Sequence, residues 1–99
     1  MRANVRIDHK IIAEFCVSNH IKKLSLFGSV LRDDFRPDSD VDVLVEFEPD
    51  FRIGFIGMAS LEIELSRIIG HKVDLRTPNE LSQYFRDKVL ATAEVQYAA

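Results

Sequence analysis

At 99 residues, 46% of them hydrophobic and 29% charged, the chain can bury one small core and is too short for two. Its net charge of -3 leaves no basic footprint, so a polynucleotide is not expected as its direct substrate. Cys16 is alone, which rules out an intrachain disulfide, and no apolar run is long enough to span a bilayer. The opening MRANVRIDHK also lacks the apolar stretch of a signal peptide, so a cytoplasmic location is expected.

In chain order, Asp8 stands where it would cap a first helix running to about His20. Ile11, Ile12, Phe15 and Cys16 recur there at helical spacing, which makes Cys16 a buried, inert thiol. His9, His20 and His71 lack metal-ligand spacing and are expected at surfaces or helix ends. Leu24, Leu26 and Phe27 predict a short buried strand that Gly28 ends, at a point where the missing side chain would let phosphate approach the backbone. Ser29 is then expected to cap a helix starting near Val30, turning unpaired amides toward an anion, with Arg32 as a further phosphate partner.

After a gap of ten residues from Ser29, Asp40 and Asp42 head a second strand. Val41, Val43, Val45 and Phe47 alternate with them, so one face packs on a core and the two carboxylates share the other. Residues 48–57 carry Pro49, Gly54 and Gly57 and are expected as a loop. Its Phe51, Ile53, Phe55 and Ile56 either fold back over the core or form an exposed partner surface. Met58 to Ile69 predicts an amphipathic helix with Leu61, Leu65, Ile68 and Ile69 inward, stopped by Gly70, and with Glu62, Glu64 and Arg67 solvated.

Val73 and Leu75 predict a third strand that leaves Asp74 on the carboxylate face. Thr77-Pro78-Asn79 ends it, and Glu80 to about Gln96 is expected as a final helix with Leu81, Phe85, Val89 and Leu90 inward. Tyr84 and Tyr97 are expected as packing or edge residues. The order helix, strand, short helix, strand, helix, strand, helix predicts an α/β fold: a small mixed β-sheet with helices mainly on one face and the carboxylates on the other.

Carboxylate oxygens suit Mg²⁺, which keeps waters beside one or two carboxylates and substrate phosphates. An isolated Asp-x-Asp is usually just solvated, and Asp33, Asp34 and Asp38 are read so. What distinguishes Asp40 and Asp42 is their setting: an upstream Gly-Ser at a strand end, valines between the acids, and Asp74 on a later strand. Three such acids could hold two metals that stabilise the attacking and leaving oxygens of an in-line displacement at phosphorus.

Gly28-Ser29, the ten-residue gap, Asp40-Val41-Asp42 and the later Asp74 resemble the signature of the DNA polymerase beta superfamily of nucleotidyltransferases, and more narrowly the minimal nucleotidyltransferase (MNT) proteins. The likeness covers almost all of residues 1–99, read as one minimal nucleotidyltransferase domain, with Asp33 standing where the family often has glycine. The resemblance implies a polymerase-beta-like core and a Mg²⁺-dependent protein adenylyltransferase that acts as an antitoxin, moving AMP from ATP to a tyrosine of a HEPN toxin. It implies catalytic and metal-binding roles for Asp40, Asp42 and Asp74, two Mg²⁺ ions, and nucleotide contacts from Gly28, Ser29, Arg32 and Ser39. Two further readings stay open: a nucleotidyltransferase for small molecules such as antibiotics, acting as a homodimer, and an antitoxin that works by binding alone.

Overall fold

The computed structural model describes residues 4–99. Strands β1 (Ile21–Phe27), β2 (Val41–Phe47), β3 (Val73–Arg76) and β4 (Glu94–Ala98) form one sheet in the order β3-β2-β1-β4. β1 is antiparallel to β2 and β4, and β3 is parallel to β2, so the sheet is mixed as predicted. The helices are α1 (His9–Ser18), α2 (Phe55–Ile69) and α3 (Gln83–Thr92). Among the described residues, no helix is long and apolar enough to cross a membrane.

Asp8 caps α1 as expected, its carboxylate accepting from the Lys10 and Ile11 amides at 3.1 and 3.2 Å. Ile12, Phe15 and Cys16 are buried while Ile11 is exposed, so the stripe is one residue narrower than its spacing implied. Leu61, Leu65 and Ile69 of α2 meet them over Leu24, Leu26, Val41, Val43 and Val45. This is the main core. Leu65 is fully buried there, and its replacement by alanine would cost about 2–5 kcal/mol.

Three expectations are corrected. First, α2 begins at Phe55 rather than Met58, with Gly54 at its N-cap, so Gly57 lies inside the helix. The loop's apolar residues therefore divide. Phe51 stacks on His20 with ring centroids 4.5 Å apart and Ile53 packs on the core, but Phe55 and Ile56 are 92% and 83% exposed.

Second, Glu62 is not a solvated residue. Its Oε2 accepts the Leu75 amide at 2.8 Å, and Ser66 Oγ accepts the Val73 amide at 3.0 Å. These two side chains of α2 satisfy the outer amides of edge strand β3, which would otherwise lie open to pairing.

Third, the final helix is shorter than predicted. Ser82 caps it, it ends at Thr92, and residues 94–98 form β4 against β1. Of its expected inward residues only Val89 is buried, in a small second cluster with Phe27 and Leu44; Phe85 and Leu90 are exposed and Leu81 is partly buried. That cluster lies on the carboxylate face, so α3 covers part of the face predicted to be free of helices. Tyr97 packs on the main core, and Tyr84 is exposed beside Lys88.

Candidate active site

The site begins with register. Asp42 and Asp74 are direct partners across the parallel β2–β3 pair, and neighbouring strands lie about 4.8 Å apart. Both residues alternate with buried neighbours, Val41 and Val43 for one and Val73 and Leu75 for the other, so their carboxylates emerge on the same face. Asp40 immediately precedes β2 and is exposed. The carboxyl of Asp42 is held above the usual range, first by burial and then by the negative charges of Asp74 and Asp40. Arg76 and Arg32 act weakly in the opposite sense.

Gly28 closes the site from the other strand. Phe27 pairs with Asp42, and the chain then turns at Gly28 with φ +77°, a conformation that favours glycine. A side chain there would collide with Asp42 Oδ2 and stand 3.1 Å from its Cγ. Glycine is thus required twice at this position, by the backbone and by the carboxylate packed against it.

The helix expected after Gly28 is not an α-helix. Gly28–Leu31 makes one turn of 3-10 helix with Phe27 at its N-cap, so Ser29 lies inside the turn and does not cap it. Four residues carry little of the aligned dipole that was to bind the anion. What the turn offers an anion is the charge of exposed Arg32, since the Asp42 carboxylate fills the space over Gly28. Arg32 follows the turn, with its Nε 3.3 Å from Asp34 Oδ1 in an exposed pair. Ser39 braces the loop, its Oγ accepting the Arg36 amide at 3.1 Å.

Arg76 is a site residue that the sequence patterns did not single out. It holds Asp74 through Nε–Oδ1 at 3.0 Å and Nη2–Oδ2 at 3.4 Å, and its Nη1 lies 3.8 Å from Glu80 Oε2. Its spacing of two from Asp74 on a short strand was the available signal, since residues i and i+2 share a face. Thr77 and Glu80 form a capping box just beyond, which fixes the end of β3.

Among the described residues, no three acidic, thiol or imidazole groups stand ready as a metal cage, and the Asp74 carboxylate is engaged by Arg76. The donor set nevertheless fits a hard divalent cation. It is all oxygen, and the crowding of negative charge that perturbs Asp42 is what such a cation relieves. His9 bonds Gln96 and His20 pairs with Glu48, while His71 lies beside Phe35 with its buried Nδ1 lacking a hydrogen-bond partner among the described residues.

Known proteins share this chain's family and fold. Residues 9–95 match the nucleotidyltransferase domain family. A Methanocaldococcus jannaschii protein whose name places it among the protein adenylyltransferases is 32% identical over 87 residues, 88% of this chain and 90% of its own. A chain from a crystal structure of a toxin-antitoxin with AMP-PNP superposes with a TM-score of 0.74 at 19% identity, over 94% of this chain and 75% of that one. A chain of a Shewanella oneidensis complex, a tri-AMPylated HEPN toxin with its MNT antitoxin, superposes with a TM-score of 0.67 at 19% identity, over 92% and 70%. At these identities the structural likeness concerns the fold, which is the one expected from the sequence.

Proposed function

The chain belongs to the nucleotidyltransferase domain family, and on that basis we propose that it transfers AMP from ATP to a tyrosine hydroxyl of a cognate HEPN-type toxin, silencing it. The observation that carries this reading is the meeting of Asp42, Asp74 and Asp40 against the side-chain-free Gly28. The naming of the M. jannaschii relative and the AMPylated HEPN complex support the acceptor class.

Asp40, Asp42 and Asp74 would hold two Mg²⁺ ions, which when bound neutralise phosphate charge and acidify the acceptor hydroxyl. Gly28, having no side chain, lets the Asp42 carboxylate pack against the turn, and Arg32 attracts the β and γ phosphates of the triphosphate. Asp74, whose side chain is 36% exposed beside Arg76, orients the acceptor hydroxyl and takes its proton once Arg76 releases it. The acceptor oxygen bonds to the α-phosphorus, the bond from that phosphorus to the bridging oxygen breaks, and pyrophosphate leaves. One AMP ester is formed per turn.

The test is intact-mass spectrometry of the co-purified partner after incubation with ATP and Mg²⁺, for wild type and Asp42→Asn. A gain of whole AMP units with wild type alone is expected. A stable complex that gains no mass with either protein would replace this reading with neutralisation by contact.

A further inference from the structure

We infer that the start of α2 is where the partner's acceptor segment docks, with Phe55 and Ile56 as its apolar anchor and the groove beside them leading to Asp74. This rests on the adenylyl-transfer reading and adds to it the surface that selects the acceptor. The groove measures ≈ 400 Å³, and its lining includes Phe55, Met58, Ala59, Asp74, Arg76 and Glu80. β3 is an edge strand whose Leu75 faces the core while Asp74 lies on the carboxylate face, so the groove passes round that edge from α2 to the carboxylates.

Local packing explains why Phe55 and Ile56 face outward. Ile53 packs on the core and lies so close to Gly57 that a methyl on that glycine would stand 2.6 Å from Ile53 Cγ1. Met58 also packs on the core. With Ile53 and Met58 holding the first turn of α2 inward, Phe55 and Ile56 are left on its outer side, nearly fully exposed, where they add nothing to this chain's core. Two adjacent large apolar side chains beside a groove that ends on the Asp74 carboxylate form an anchor for another molecule.

The groove also defines its occupant. The edge amides of Val73 and Leu75 are already taken by Ser66 and Glu62, so a partner is not added as a further strand and recognition falls to side chains. The carboxylates of Glu62, Asp74 and Glu80 line the groove with a single guanidinium, that of Arg76, which leaves it an acidic balance. The chemistry that fits is a protein segment whose acceptor tyrosine stands between an apolar residue, which covers Phe55 and Ile56, and a basic one. Its ring then has Phe55 and Met58 as an apolar wall, and its hydroxyl has Asp74 as partner.

Phe55→Ser combined with Ile56→Ser removes the anchor without adding charge near Asp74 or touching the core. Ala59→Trp, at an exposed position of the groove wall, blocks the groove by the opposite means, so that one variant still tests the surface if the other misfolds. Melting curves check folding. The readouts are kcat and KM for AMP transfer to the purified HEPN-type partner, the Kd of that complex, and AMP-PNP binding with Mg²⁺ present. In folded variants KM and Kd should rise about tenfold or more, with kcat within about threefold and AMP-PNP affinity unchanged, and Phe55→Leu should keep most of the wild-type value. Wild-type KM and Kd in both folded variants would overturn the docking surface and leave the catalytic reading standing. A fall in kcat alone would overturn it too, because the residues would then act on the site and not on the partner. So would a dimer of this chain, seen in analytical ultracentrifugation, that the double variant dissociates while partner Kd holds; the face would belong to a second copy. If the wild type binds its partner but transfers no AMP, the transfer reading falls and Kd alone decides the docking surface. A wild type that binds no partner overturns both.

Discussion

Replacing Gly28 with alanine tests the site through the one position where backbone and chemistry are joined. Gly28 sits at φ +77°, where an L-residue costs about 1–2 kcal/mol relative to a right-handed conformation. The added methyl also meets Asp42 Oδ2 in collision and lies 3.1 and 3.4 Å from Asp42 Cγ and Cβ. The carboxylate is the end of a short side chain, so it can rotate away at little cost to folding, but only by leaving its place opposite Asp74. In a domain of this size each kcal/mol lowers the melting temperature by about 4–8 °C, so Gly28→Ala should fold with a Tm reduced by roughly 4–16 °C. Activity should fall further than stability does, because a displacement of about 1 Å at a reacting centre costs on the order of 100-fold. The assay pairs a thermal melt with the rate of AMP transfer at a temperature where both proteins are folded. A variant that melts lower but transfers AMP at more than about half the wild-type rate would refute the placement of Asp42 against Gly28 as a catalytic feature.

Four other outcomes are expected. Asp42 has a folded pKa above its unfolded value, so its contribution favours folding at low pH and is lost as pH rises through the folded value. Asp42→Asn should therefore melt higher than wild type at pH 7 without metal, converge with it below about pH 4, and lose the stabilisation that Mg²⁺ gives the wild type; equal melting at pH 7 would contradict the burial of Asp42 and its crowding by Asp74 and Asp40. Arg76→Gln frees Asp74 from a partly exposed ion pair worth about 0.2–1 kcal/mol, and titration with Mn²⁺ should show tighter binding by a factor of up to about five. Glu62→Ala strands the Leu75 amide at the edge of β3 and should cost about 1–3 kcal/mol in chemical denaturation, whereas Glu62→Gln, which keeps an acceptor oxygen, should recover most of it. Burial pushes the Cys16 thiol up to about 12, so it should resist alkylation at pH 8 in the native protein and react once the chain is unfolded in denaturant; rapid native labelling would show that α1 opens.

Much of this molecule was legible in local chemistry. Asp8 needed only its neighbours to become a cap, and the alternation of Val41, Val43 and Val45 with Asp40 and Asp42 settled which face each would take, because strand geometry leaves no other choice. Gly28 could be recognised as a strand end. What followed it could not: the turn after Gly28 is a short 3-10 segment because the chain must drop away from β1 toward Asn4 and the loop to β2, a demand made by tertiary contacts.

The C-terminal end shows the limit most clearly. Residues 80–96 carry an adequate helical pattern, and no glycine or proline marks a stop before β4. Helix propensity is a weak prior, and here it yields to the open edge of β1, whose pairing with residues 94–98 satisfies a row of backbone groups that a longer helix would have left unpaired. Residue type and local spacing were enough to mark the three carboxylates, the glycine upstream of them and the hydrophobic strands that present them, since each depends on chemistry within one element. It took the assembled fold to bring Asp42 and Asp74 into register, to secure β3 with Glu62, and to wall a cavity beside Gly28 with Thr92 to Glu94. Those are contacts between segments far apart along the chain, and neither periodicity nor composition encodes the distance between such segments once folded.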